Sequence, residues 1–230
     1  MIVPNYIPEP LEVPGNVTEE RYAVRVAFIR RVTLLHLTGV LAVAGLASVP
    51  WIQVGLIPTL VSLALVLIGL DLWRIAKRGS AIEAKVSAAM LPIVLVLAGR
   101  SAAEIALAGF PIAAVLAGSI CAAIYTALCG RDYSFVGGFL LSLIASTVAL
   151  AALAPKLGYD VFTTAIAMTA NAVLLAYTQY DLASILARRR RGEEVAAVVD
   201  LYRDVFNFFG YAVRCVKHWR RHRIFELPRQ

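Results

Sequence analysis

The chain carries no Asp, Glu, Lys or Arg from residue 32 through residue 70. A helix needs roughly 20 apolar residues to cross a bilayer, so this single run is long enough for two crossings. It is interrupted at 50–55, where Pro50 and Gly55 frame a break, which predicts one helix near 31–50 and a second near 55–75. The remainder has the same character. Of all residues 60% are hydrophobic and 16% charged, against about 25% charged in an ordinary soluble domain. The fold class that follows is an all-α, polytopic membrane protein.

The other spans are read from the gaps between charges. After Asp71, Arg74, Lys77, Arg78, Glu83 and Lys85, apolar sequence resumes at 86–99 as a third helix that closes near Arg100 and Glu104. Stretches 105–130 and 133–155 are uncharged on either side of Arg131-Asp132 and predict helices four and five. In the fifth, Gly138, Ser142 and Ser146 recur every fourth residue, a small-residue ridge that lets a neighbouring helix approach closely. Stretch 161–180 predicts a sixth helix, with Asp181 at its end and four arginines at 188–191 beyond it. Asn171, Thr178 and Asp181 share one face of that helix.

The last apolar stretch, 195–213, contains Asp200, Arg203, Asp204 and Asn207, which form one stripe at helical spacing. Lipid does not tolerate such a stripe, so this segment is either enclosed by the other helices or lies at the interface. The chain thus divides into an amino-terminal tail (1–30), a membrane domain (31–213) and a basic carboxyl tail (214–230). The amino tail lacks the short apolar core and cleavage site of a secretory signal, so no removed segment is expected. Lys and Arg near span ends gather on the side of the amino tail, which predicts a cytoplasmic amino end. In a prokaryotic cell the membrane concerned is the plasma membrane. A seventh crossing places the basic tail outside; a re-entrant last segment keeps it inside. The net charge of +7 is explained by these span-end clusters and by contact with anionic lipid headgroups, and no nucleic-acid partner is expected.

Asp181 and Asp204 are the most informative polar residues. An ionisable side chain in hydrocarbon is disfavoured by roughly 2.5–3.5 kcal/mol on insertion scales, so acids kept at membrane depth usually face a protein interior and serve ion or proton traffic. Several stretches around them resemble the transmembrane Bax inhibitor motif family: AFIRRVTLL at 27–35, RDYSFVGGFL at 131–140, Tyr180-Asp181 before a basic loop, and LYRDVFNFF at 201–209. The order and spacing cover nearly the whole chain after residue 21. The resemblance implies seven transmembrane helices, six of them around a central C-terminal one, and a pH-sensitive calcium leak rather than an enzyme. It implies that Asp181 and Asp204 share a proton as the pH sensor and gate, and that calcium is the transported ion, with no cofactor. In that family an acid and an arginine in helix two often join the sensor; Asp71 is the nearest acid here, followed by Arg74. Arg203 departs from the family pattern, which has an apolar residue at that place.

Two carboxyls in a poorly hydrated site do not readily ionise together, so they titrate as one unit whose proton biases one conformation against another. Calcium prefers six to eight oxygens. Asp181 and Asp204, even with Asp200, Asn207 and Thr178, do not make a closed cage, which suits transient binding in transit. The competing readings are a purely structural pairing of Asp204 with an arginine, a proton-coupled secondary transporter, and an intramembrane aspartyl protease. Weaker candidates have plainer explanations. His218 and His222 lie in a basic tract, His36 is expected to be hydrogen-bonded inside the bundle, and Arg100 and Glu104 read as a surface pair at i and i+4. The arginines at 188–191 read chiefly as a topology signal. The three cysteines have no metal spacing.

Overall fold

A computed structural model describes residues 12–129 and 135–203. Among the described residues the secondary structure is wholly helical: α1 (Tyr22–Ala47), α2 (Leu56–Ala76), α3 (Ala81–Leu107), α4 (Ile112–Val115), α5 (Ala117–Cys129), α6 (Phe135–Leu153), α7 (Val161–Arg188) and α8 (Glu194–Arg203), preceded by a short 3₁₀ turn (Val17–Glu19). Among the described residues four segments are long and apolar enough to cross a membrane: α1, α2, α3 and the 18 residues Val161–Thr178 of α7. The apolar parts of α5 and α6 are shorter.

Local chemistry sets the boundaries. Ser80 caps α3 by accepting a hydrogen bond from the Glu83 amide at 3.2 Å, and Asp160 caps α7 by accepting from the Thr163 amide at 2.7 Å; both satisfy amides that a helix start leaves without partners. Gly79, at φ +69°, turns the chain between α2 and α3. Gly109, at φ +86°, and Pro111 end α3 and set it apart from α4 within the predicted fourth helix, because a left-handed residue and a proline do not continue an α-helix.

Three helices are longer than their uncharged stretches. The first begins at Tyr22, the third runs from Ala81 to Leu107, and α7 continues two turns beyond residue 180 to Arg188. Asp181 therefore lies inside a helix and not at its end. Each extension holds a charged residue that has a partner: Arg31 with Glu194, Glu83 with Arg189, and Arg188 with Asp181. Arg100 donates to the Ile52 carbonyl and Glu104 accepts from the Gly55 amide at 3.3 Å. These two residues thus tie α3 to the α1–α2 connection instead of pairing with each other.

The outer face of α2 carries Ile57, Val61, Leu65, Ile68, Leu72 and Ile75, all exposed. Their spacing of three and four residues makes one continuous apolar stripe, and a stripe of this kind has lipid as its natural solvent. The inner faces meet around α8. On one side of it Ala197, Val198 and Leu201 pack with Phe28 and Val32 of α1 and with Leu182 and Ile185 of α7. On the other side Val199 packs with Leu67 and Leu70 of α2 and with Val94 of α3. The described part of the last segment is thus enclosed by helices rather than laid along an interface. Residues 12–20 cover the same end of the bundle: the Val13 amide donates to Ala187 O at 3.1 Å, the Val17 amide donates to Arg189 O at 2.9 Å, and the Val17 side chain is fully buried.

Close helix approach rests on small residues. A Cβ added at Gly99 of α3 would lie 2.5 Å from Leu46 Cβ and 3.2 Å from Val43 O of α1, whereas one at Gly45 meets nothing within 4 Å. Gly99→Ala is expected to destabilise the bundle by about 1–3 kcal/mol through overpacking. Gly45→Ala should be neutral or stabilising by up to about 1 kcal/mol from helix propensity. Thermal unfolding of both variants in detergent checks the contrast.

Candidate functional site

The end of the bundle that carries the start of α1 gathers charges from four elements and buries them. Arg189, the first residue after α7, turns its guanidinium inward. It donates from Nη1 and Nη2 to the two oxygens of Glu83 at 2.6 and 3.1 Å. It also donates from Nε and Nη2 to the two oxygens of Asp200 at 2.7 and 2.6 Å. Both contacts are bidentate, the geometry for which a planar guanidinium is suited. Glu83 belongs to the first turn of α3 and Asp200 to α8, so one side chain joins the end of α7 to both. Ser87 adds a hydrogen bond to Glu83 Oε1 at 2.8 Å.

Asp200 extends the cluster by accepting from Arg203, which also lies 3.4 Å from Asp71 Oδ1 on α2. Arg74 Nη2 pairs with the same Asp71 oxygen at 3.2 Å. Three carboxylates (Asp71, Glu83, Asp200) therefore face three guanidiniums (Arg74, Arg189, Arg203). All are buried except Asp71, whose side chain is 23% exposed and forms the cluster's opening to the outside. Burial acts to remove the proton from Arg189, but the carboxylates of Asp200 and Glu83 outweigh it and hold its pKa above the usual arginine value. This cation stays charged at every accessible pH, so any response to pH has to come from the acids.

A second buried pair lies beside this cluster along the chain. Asp181 Oδ1 accepts from Arg188 Nη1 at 3.2 Å, and both side chains are almost completely shielded. Ser184 Oγ lies 3.4 Å from the same oxygen. The arginines at 188 and 189 are thus interior counter-charges, a role that a reading of 188–191 as a topology signal misses. Of the residues singled out in the sequence, Asp71, Asp200 and Arg203 come together in one cluster, and Asp181 is buried in its own pair. Asp204 and Asn207 lie outside the described residues. Glu83, Arg74 and Arg189 escape a reading based on apolar runs, since each stands at a span end where charge is ordinarily solvated. The S-A-I-E sequence at 80–83, a helix-capping pattern, is the one local signal that Glu83 sits on a helix.

The polar face predicted for the sixth helix is a packing device over most of its length. Asn171 of α7 accepts from the Gly118 amide at 2.6 Å and donates to Ser146 Oγ at 2.9 Å, joining α5 and α6. Ser146 and Ser142 of the small-residue ridge are buried there. Thr178 lies 3.4 Å from Ser119.

Below the charged cluster are two adjoining cavities. One, of about 420 Å³, lies inside the bundle and reaches Leu201 and Tyr202 of α8. The other, of about 730 Å³, lies by the α1–α2 connection, with Trp51, Arg100 and Glu104 on its wall. Val43, Ala102, Ile112 and Leu116 border both. Among the described residues no group of three or more His, Cys, Asp or Glu is placed to hold a metal ion. His36 is buried, but its Nδ1 has no hydrogen-bond partner among the described residues, contrary to expectation; its ring packs against Tyr202 with centroids 5.6 Å apart. No family profile, curated protein or solved structure matches this chain.

Removing one partner from a buried ion network leaves uncompensated charge and costs about 3–5 kcal/mol. Arg189→Met is expected to lose stability on that scale. Arg189→Lys should recover little of it, because one ammonium does not reproduce two bidentate contacts. Unfolding of both variants in detergent, beside wild type, measures the difference.

Proposed function

We propose that this chain is a pH-sensitive calcium leak channel with the architecture of the transmembrane Bax inhibitor motif family, seen with its path closed. The observation that carries the reading is a charge-balanced cluster of buried acids and arginines that closes one end of an apolar helix bundle, with two adjoining cavities leading towards it. A cluster of this kind is costly to maintain in hydrocarbon surroundings and is a common mark of ion or proton pathways. Seven crossings around the last helix, with the amino end in the cytoplasm, belong to the same proposal. The enclosure of α8 by α1, α2, α3 and α7 supports it.

Closure in this scheme depends on ionised carboxylates. An acid beside a guanidinium is favoured in its charged form, and the ion pairs of Glu83 and Asp200 with Arg189 and of Asp71 with Arg203 hold helices together. In this scheme, protonation of an acid that closes the bundle removes its contribution to closure and leaves its arginine unbalanced. Acidification therefore favours opening. Asp204, with Asp181, completes the sensor in the proposal, and calcium binds only in passage.

Calcium entry into liposomes containing the purified protein tests this reading. Wild type should leak faster as pH falls. Asp200→Asn, which imitates the protonated acid, should leak at least about fivefold faster at neutral pH and respond less to acid. Asp181→Asn and Asp204→Asn should flatten the pH profile too. Flux should not require a proton gradient, in contrast to a coupled transporter. Equal fluxes and unchanged pH profiles in all three variants would overturn the proposal.

A further inference from the structure

The Glu83–Arg189 pair closes a seam between the start of α3 and the end of α7, and residues 12–20 are fastened to both of its sides. On the α7 side, the amides of Val13 and Val17 donate to the carbonyls of Ala187 and Arg189 at 3.1 and 2.9 Å. These acceptors stand where a helix ends and leaves its carbonyls without internal partners. On the α3 side, Arg78 donates to the Glu12 carbonyl. Val13 also lies against Gly79, where an added Cβ would come within 3.3 Å of Val13 Cγ1. Arg190 spans the seam: its Nε donates to Pro14 O at 3.0 Å and its Nη1 donates to Gly79 O at 2.9 Å.

The segment has an inner and an outer side. Val13, Asn16 and Val17 are buried, while the residues between and after them are exposed. Val17 enters the apolar core that holds α8, together with Phe28 of α1 and Ile185 of α7. The Asn16 side chain donates to Val13 O at 2.9 Å and accepts from the Thr18 amide at 2.9 Å, which fixes the turn between the two valines. Glu19 accepts from the Gly15 amide within the segment itself. The contacts that cross to α3 and α7 are made by main-chain groups, arginines and valine side chains, none of which titrates near neutral pH. In the channel reading, opening parts α3 from α7 at the Glu83–Arg189 pair, and a segment fastened to both cannot follow both.

We propose that residues 12–20 are an autoinhibitory strap, which has to release one side of the α3–α7 seam before the bundle opens. The inference rests on the channel reading and adds to it a lock that is neutral where the cluster is charged. Weakening the strap therefore raises the leak by a similar factor at each pH, whereas neutralising an acid of the cluster flattens the pH profile. Calcium flux in liposomes and hydrogen exchange in lipid nanodiscs, both on the full chain, test it. Val17→Ala should raise the leak at neutral pH about three- to tenfold and keep its increase on acidification. Val17→Asp, whose charge the apolar core rejects, should raise it further; Val17→Ala is the milder variant if the aspartate impairs folding. Glu20→Gln, at an exposed position of the same segment, should leave the leak unchanged. Exchange of the amides in residues 12–20 should accelerate in both Val17 variants, a sign of a loosened strap that does not depend on flux. Accelerated exchange with a wild-type leak in both variants overturns the strap and leaves the channel reading standing. A wild type that leaks at no pH overturns the channel reading and, with it, the strap as its lock.

Discussion

The structure depends on one side chain more than on any other. Arg189 emerges where α7 ends and reaches back between Glu83 of α3 and Asp200 of α8, donating two hydrogen bonds to each. It gives two buried carboxylates a shared counter-charge and fixes the depth at which α8 enters the bundle. The order of the surrounding parts follows. Arg203, one turn beyond Asp200, is brought to Asp71 and Arg74 on α2. Residues 12–20 are laid over the arrangement by hydrogen bonds to the backbone at 187 and 189. Without a guanidinium at this point, two acids from different helices would face each other across a poorly hydrated space.

Such a cluster is rarely the most stable way to fill a core, since well-packed apolar residues often do as well or better. Its presence at the end of an apolar bundle is therefore informative about function. The acids and bases are balanced, so a single proton changes the balance, and the six members come from four elements. A local titration is thereby converted into a question of how the helices hold together. The cavity beneath has a different chemistry: among the described residues its lining is mainly aliphatic, with neutral polar side chains.

The legibility of these features varied with the kind of force involved. Apolar runs predicted where helices lie because lipid exposure is a local, composition-driven demand; α2 and α6 match their stretches closely. The ridge containing Ser142 and Ser146 was readable as a packing face for the same reason. Span-end charges misled, because a charge at a helix terminus looks alike whether it meets water or a partner far along the chain. Glu83 and Arg189 are 106 residues apart in sequence, and no local pattern links them. Arg100, Glu104 and the arginines at 188–189 have partners that no local pattern announces, and the helices that contain or lead to them extend beyond their uncharged stretches.

By itself, then, the sequence determined the helical character of the described residues, apolar stretches long enough to cross a membrane, and a last segment whose polar residues required shelter, because each of these follows from the local solvation of side chains. Only the tertiary structure decided which acids meet which arginines, and that Asp71, Asp200 and Arg203 share one cluster while Asp181 pairs with Arg188. Those outcomes depend on distances between helices far apart in the chain, and such distances are set by packing.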